Sequence, residues 1–72
     1  MKVEAPAIFP LLRSDAQGQI LATLELSHRG ETAADLARQV EASLPTVTRE
    51  LARLHDAGII EATPVGRRAV YR

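Results

Sequence analysis

The stretch SLPTVTRELARL, residues 43–54, sets hydroxyls and guanidiniums among aliphatic side chains. Thr46, Thr48, Arg49 and Arg53 are the residue types that recognise nucleic acid. Hydroxyls and the N–H groups at a helix start suit phosphate oxygens, and an arginine can grip a guanine edge with two hydrogen bonds. A second basic pair, Arg67 and Arg68, follows Gly66. At a loop tip, two guanidiniums could reach adjacent phosphates or a minor groove. Such a pair is most often merely solvated, so its weight comes from its place after the first cluster. Other chemistry has little to work with. The chain has no nucleophile–base pair, no carboxylate pair and no glycine-rich phosphate loop. It has no cysteine, and His28 and His55 lie far apart without spaced partners, so a metal site lacks ligands. The residues describe a binding module rather than an enzyme, with neither metal nor cofactor.

The spacing of residues 43–57 predicts the helix that carries this chemistry. Ser43 is a good N-cap. Pro45 falls in the first turn, where its missing N–H costs nothing. Val47, Leu51 and Leu54 form one apolar stripe, and Gly58 ends the helix. At about 100° per residue, Pro45, Arg49, Ala52 and Arg53 gather on the opposite side, flanked by Thr46 and Thr48. A merely solvated face is usually rich in Glu/Lys pairs. This one is small, hydroxylated and basic, with Glu50 as its exception. The candidate contacts to double-stranded DNA are Thr32, Ser43, Pro45, Thr46, Thr48, Arg49 and Arg53, with Arg67 and Arg68 beyond them.

Other elements must hold that helix. Ser14 or Asp15 caps a first helix running to about Leu26, with Gln17, Ile20, Leu21 and Leu24 on one face. His28 to Glu31 reads as a turn. Thr32 caps a second helix, about Ala33 to Val40, with Asp35 in a near capping-box position and Leu36, Ala37 and Val40 facing inward. Glu41 to Ser43 is a tight turn. After Gly58 the period changes: Ile59 to Thr63 reads as a strand, Pro64 to Arg68 as a basic-tipped turn, and Ala69 to Arg72 as the return strand. The expected class is mainly α with a small β-hairpin (α+β): three helices and then a two-stranded wing, the order of a winged helix-turn-helix. The expected core sets Val47, Leu51 and Leu54 against Leu24, Leu36 and Val40.

Length and composition agree. The chain has 72 residues, enough for one domain at 14–72 behind an extended lead-in at 1–13. That lead-in holds Ile8, Phe9, Leu11 and Leu12, an apolar run that predicts a mostly buried Phe9, on its own domain or in a symmetric dimer contact. Net charge is zero, but residues 1–42 hold four basic against six acidic side chains, and residues 43–72 hold five arginines against Glu50, Asp56 and Glu61. A nucleic-acid face needs local rather than overall positive charge. No apolar run approaches the ~20 residues of a membrane helix, and no signal peptide is visible, which favours a cytoplasmic protein. Arginine in place of lysine and abundant alanine fit a high-GC bacterial genome.

The segment from Thr32 onward resembles the ArsR-type and MarR-type winged-helix regulators. The matching pieces are ADLARQV, SLPTVTRELARL, the DAGII exit and the GRRAVYR wing. The resemblance implies a bacterial transcriptional regulator that binds duplex DNA sequence-specifically, generally as a homodimer. Thr46, Thr48 and Arg49 would then lie at the major groove and Arg67 and Arg68 in the wing. Metal sensing does not carry over, because its cysteines and histidine/carboxylate clusters are missing. Family members commonly dimerise through a helix after the wing, and a chain ending at Arg72 points to a piece of a longer protein. The proline-containing lead-in PAIFPLLRSDAQGQILATL is similar to winged helices placed ahead of nucleotidyltransferase-like domains. That gives the competing reading, an accessory domain of a longer enzyme that docks protein or RNA. An apolar outward face on the third helix would favour docking.

Overall fold

The computed structural model describes residues 15–72. The lead-in, Ser14 as a cap and the expected burial of Phe9 lie outside the described residues. Helix α1 is Asp15–Leu26, strand β1 Glu31–Thr32, helix α2 Ala33–Gln39, helix α3 Leu44–Asp56, strand β2 Ala62–Val65 and strand β3 Arg68–Tyr71. Three helices pack around one core, and the strands form an antiparallel sheet ordered β1-β3-β2.

The core is the expected one. Ile20, Leu24, Leu36, Val40, Val47, Leu51, Leu54 and Ile60 form a single buried cluster. Every helix contributes to it, and α3 contributes three of the eight residues. Burying such aliphatic side chains stabilises by roughly 1.5–3 kcal/mol each before chain entropy is counted.

Local chemistry sets the helix ends. At α2 the Asp35 N–H donates to Thr32 Oγ1 at 3.1 Å, and the Thr32 N–H donates to Asp35 Oδ2 at 3.2 Å. The capping box therefore closes with aspartate where glutamate is usual. Hydrogen bonding to the carboxyl by the Thr32 side chain and by its backbone N–H, with the Arg38 guanidinium beside it, holds Asp35 below its ordinary range. Helix α2 ends at Gln39, one residue earlier than its pattern predicts, because Val40 leaves helical geometry as the cap. The next peptide is held from α1: the Glu41 N–H donates to Gln19 Oε1 at 2.9 Å. At the far end of α3, Gly58 adopts φ 76°, its N–H donates to His55 O, and the Ile59 N–H donates to Leu54 O. Those two bonds make a Schellman motif, which turns Ile60 into the core.

Thr32→Ala should destabilise the domain by about 0.5–2 kcal/mol, the usual value of such a cap. The pH dependence has a definite sign. A lowered carboxylate pKa adds stability that is present above the unfolded value near 3.8 and lost as pH falls through the lower folded value. The Thr32→Ala deficit should thus shrink below pH 4 in urea titrations. A deficit independent of pH would mean that Asp35 and Thr32 do not act together.

The sheet departs from the expected two-stranded hairpin in three ways. Glu31 and Thr32 pair with Tyr71 and Val70, so part of the predicted 28–31 turn is a third strand. The strand expected at Ile59 to Thr63 instead covers Ala62–Val65, because the helix cap uses Ile59 and the core takes Ile60. The turn is shorter than Pro64 to Arg68, since Val65 pairs with Arg68 and Pro64 with Ala69. Only Gly66 and Arg67 remain between the strands. Gly66 has φ 63°, and no non-glycine residue among those described has positive φ. That excludes a type I′ turn and fits type II′, whose first central residue is glycine. Proline is tolerated at Pro64 because β2 is an edge strand.

Candidate nucleic-acid interface

The polar face of α3 points away from the core as its periodicity predicts. Pro45, Thr48, Arg49, Ala52 and Arg53 are exposed, and Thr46 is half-buried. Val47, Leu51 and Leu54 on the other side are all but fully buried. The candidate residues fall into three groups on this surface.

The first group sits at the start of α3. The Ser43 hydroxyl accepts from the Thr46 N–H at 3.3 Å and donates to Thr46 Oγ1 at 3.0 Å. That second bond uses Thr46 as an acceptor and leaves its own hydroxyl proton for an outside oxygen. Pro45 stands exposed between them.

The second group lines an open cleft between α2, α3 and the sheet. Thr32, Leu44, Thr48, Arg68 and Tyr71 are among its walls. The cleft brings together three candidate residues that are distant in sequence, Thr32, Thr48 and Arg68. Arg68 is therefore a sheet residue facing α3 rather than a residue of the loop tip, as its pairing with Val65 requires. Arg67 holds the tip with Gly66 and is not among the cleft residues.

The third group is one that sequence reasoning missed. Glu50 is not part of the outward face; it is 1% exposed. Its Oε1 accepts from the Gln17 Nε2 amide of α1 at 2.8 Å. Its Oε2 accepts from Arg53 Nη1 at 3.1 Å and from Arg49 Nε at 3.4 Å. Gln17 is buried as well. The clue is the helix angle. Glu50 lies three residues after Val47 and four before Leu54, inside the edge of the buried stripe. Its charge argues for an outside position, and the Gln17 amide 33 residues away, with Arg49 and Arg53, satisfies it inside.

Charge near this surface is locally positive. Arg49, Arg53, Arg67 and Arg68 are all exposed, while Glu50 is enclosed. Asp56 and Glu61 are exposed acids beyond the α3 stripe and at the sheet entry. Among the described residues no group of His, Cys, Asp and Glu could hold a metal ion, and no helix is long and apolar enough to cross a membrane.

Three helices, the tight turn between α2 and α3, and a strand wing with an exposed polar recognition face define the winged helix-turn-helix class. Residues 13–61, more than half of the chain, match the family described as winged helix-turn-helix DNA-binding, and the chain belongs to that family. The match stops at Glu61, before both wing arginines. No curated protein and no solved structure matches the chain.

Proposed function

We propose that this domain binds double-stranded DNA sequence-specifically as the reading head of a cytoplasmic bacterial transcriptional regulator of the ArsR/MarR kind. Helix α3 enters the major groove. Thr48 and Arg49 face base edges, and Ser43, Pro45, Thr46 and Arg53 lie along the backbone. Arg68 and Thr32 close on a flanking phosphate across the cleft, and Arg67 reaches further along the duplex from the turn. One helix and one wing span a half-site, so the reading includes a homodimer on a two-fold site.

The observation that carries the reading is the outward face of α3. An accessory docking domain would present apolar surface there. Of the large hydrophobic residues exposed among those described, Leu26, Leu44, Ile59 and Val65, only Leu44 belongs to α3, and it lies at the rim of the cleft. Small residues, hydroxyls and two guanidiniums fill the rest.

Salt tests the proposal. Each neutralised phosphate contributes about −0.9 to the slope of log affinity against log salt on B-DNA. If Arg53, Arg67 and Arg68 all touch phosphates, the slope for random duplex should be about −3. Replacing Arg67 and Arg68 together by alanine should flatten it by about 2. Fluorescence anisotropy on a labelled duplex across a salt series measures both. Binding that ignores salt would overturn the reading and leave docking in its place.

A further inference from the structure

We infer that Glu50 is a positioning residue for DNA reading: held by Gln17, it fixes the guanidiniums of Arg49 and Arg53 on the outward face of α3. The inference rests on the proposed function and assigns the buried carboxylate a part in it.

Burial makes Glu50 costly. A carboxylate withdrawn from water needs full hydrogen bonding, and replacing a buried ionic group by packed apolar residues is often neutral or stabilising. Stability alone therefore gives a weak reason for a charge at this position. The geometry gives a stronger one. The Gln17 amide fixes one carboxylate oxygen from α1, which sets the plane of the other. The second oxygen takes Arg49 by its Nε and Arg53 by one terminal nitrogen. Arg53 is thus held at 3.1 Å, while Arg49 is held more loosely on its inner edge at 3.4 Å, and both of Arg49's terminal nitrogens stay available outside. Two parallel N–H groups are the fork that matches guanine O6 and N7. Arg53 retains Nη2 and Nε, a set suited to a phosphate oxygen.

Exposure agrees. The Arg49 and Arg53 side chains are 58% and 50% exposed, while the Glu50 side chain is 2% exposed. Their roots are anchored and their working edges are in solvent. A free arginine loses rotamer freedom when it is fixed on a ligand. Fixing it beforehand removes part of that cost from binding. The carboxylate also lies just beneath the face that DNA approaches, where its charge opposes phosphate without regard to sequence. Glu50 therefore favours the correct base through the fork and disfavours indiscriminate binding through its charge.

That pairing of effects separates positioning from mere support of the α1–α3 contact. The full chain is titrated with two duplexes of equal length and composition. One is enriched from a random pool on the wild-type protein and the other is its scrambled version. Glu50→Gln keeps the shape and removes the charge. Its affinity for scrambled DNA should hold or rise, while its enriched-to-scrambled ratio falls about 5-fold or more, the lower bound for one bidentate base contact. Arg49→Lys keeps the charge, can still pair with Glu50 and lacks the fork. Being exposed, it keeps the fold, and it should lose the same ratio. If both affinities of Glu50→Gln fall by one factor, Glu50 only supports the fold and the inference is overturned. Should Glu50→Gln not fold, Gln17→Met, which removes the amide that orients the Glu50 carboxylate and leaves both arginines in place, decides instead: an unchanged enriched-to-scrambled ratio overturns the inference. A wild type that discriminates alongside variants that discriminate equally overturns this inference only. A wild type with no duplex affinity overturns the proposed function and this inference together.

Discussion

Leu51→Ala should destabilise the domain by about 2–5 kcal/mol, the range for truncating a buried leucine where the surroundings relax only in part. Leu51 is fully buried in the middle of the α3 stripe, with Val47 and Leu54 beside it and Leu36 and Ile20 in the same cluster. A chain of this size has roughly 0.05–0.15 kcal/mol of stability per residue. The loss is therefore a large share of the whole, and the melting temperature should fall by ~10 °C or more. The reason lies in architecture as well as volume. Helix α3 is packed on both α1 and α2 and carries the polar face on its other side. A cavity at Leu51 loosens the surface that holds the arginines in place. Ala52 is the control. It is the next residue, it is exposed, and Ala52→Ser should change stability by less than about 0.5 kcal/mol. Equal melting of the two variants would place the wrong residues on the buried side of α3.

The contrast between those neighbours shows why α3 was legible. Its apolar residues recur at helical spacing, a serine begins it and a glycine ends it, and all three signals are local. The same holds for the capping box of α2, which rests on two residues three apart. Glu50 was not legible, because its burial depends on a glutamine on another helix. Strand β1 was hidden for a related reason. Two residues carry no alternation, and Glu31 and Thr32 become a strand only because β3 lies beside them. The hairpin register was hidden by Pro64, which reads as a turn residue until its edge position is known. Gly66 was the available signal, since a single glycine flanked by residues that pair outward from it marks a two-residue turn. Correcting the register changes the site: Arg68 moves from the loop tip to the cleft it shares with Thr48.

The loop before β1 makes the sharpest demand on one residue. Gly30 has φ 83° and follows α1 where the chain turns to meet β3. A Cβ there would lie 2.6 Å from Val70 Cγ1 and 2.8 Å from the Tyr71 carbonyl oxygen. The β-branched valine is stiff at χ1, and the carbonyl belongs to the central strand and moves only with it. Gly30→Ala therefore carries two costs: about 1–2 kcal/mol for a left-handed backbone and about 1–3 kcal/mol for forced overpacking. A total of about 2–5 kcal/mol is expected. Gly58 and Gly66 provide the comparison. Both have positive φ, and neither would bring a Cβ within 4 Å of another group. Alanine at either should cost the backbone share alone, about 1–2 kcal/mol. Three urea melts establish the order. Gly30→Ala no worse than Gly66→Ala would mean that the loop does not approach β3 this closely. The effect should also reach the interface. Thr32 ends β1 and caps α2, and β1 ties β3 to that corner. Pushing the Tyr71 carbonyl outward shifts β3, so Arg68 withdraws from Thr48. Duplex affinity of Gly30→Ala should then fall at temperatures where circular dichroism still reports folded helices. Gly66→Ala, with β1 intact, should retain more of its affinity at the same fraction folded. An affinity loss in Gly30→Ala that only tracks the unfolded fraction would separate the β1–β3 contact from DNA binding.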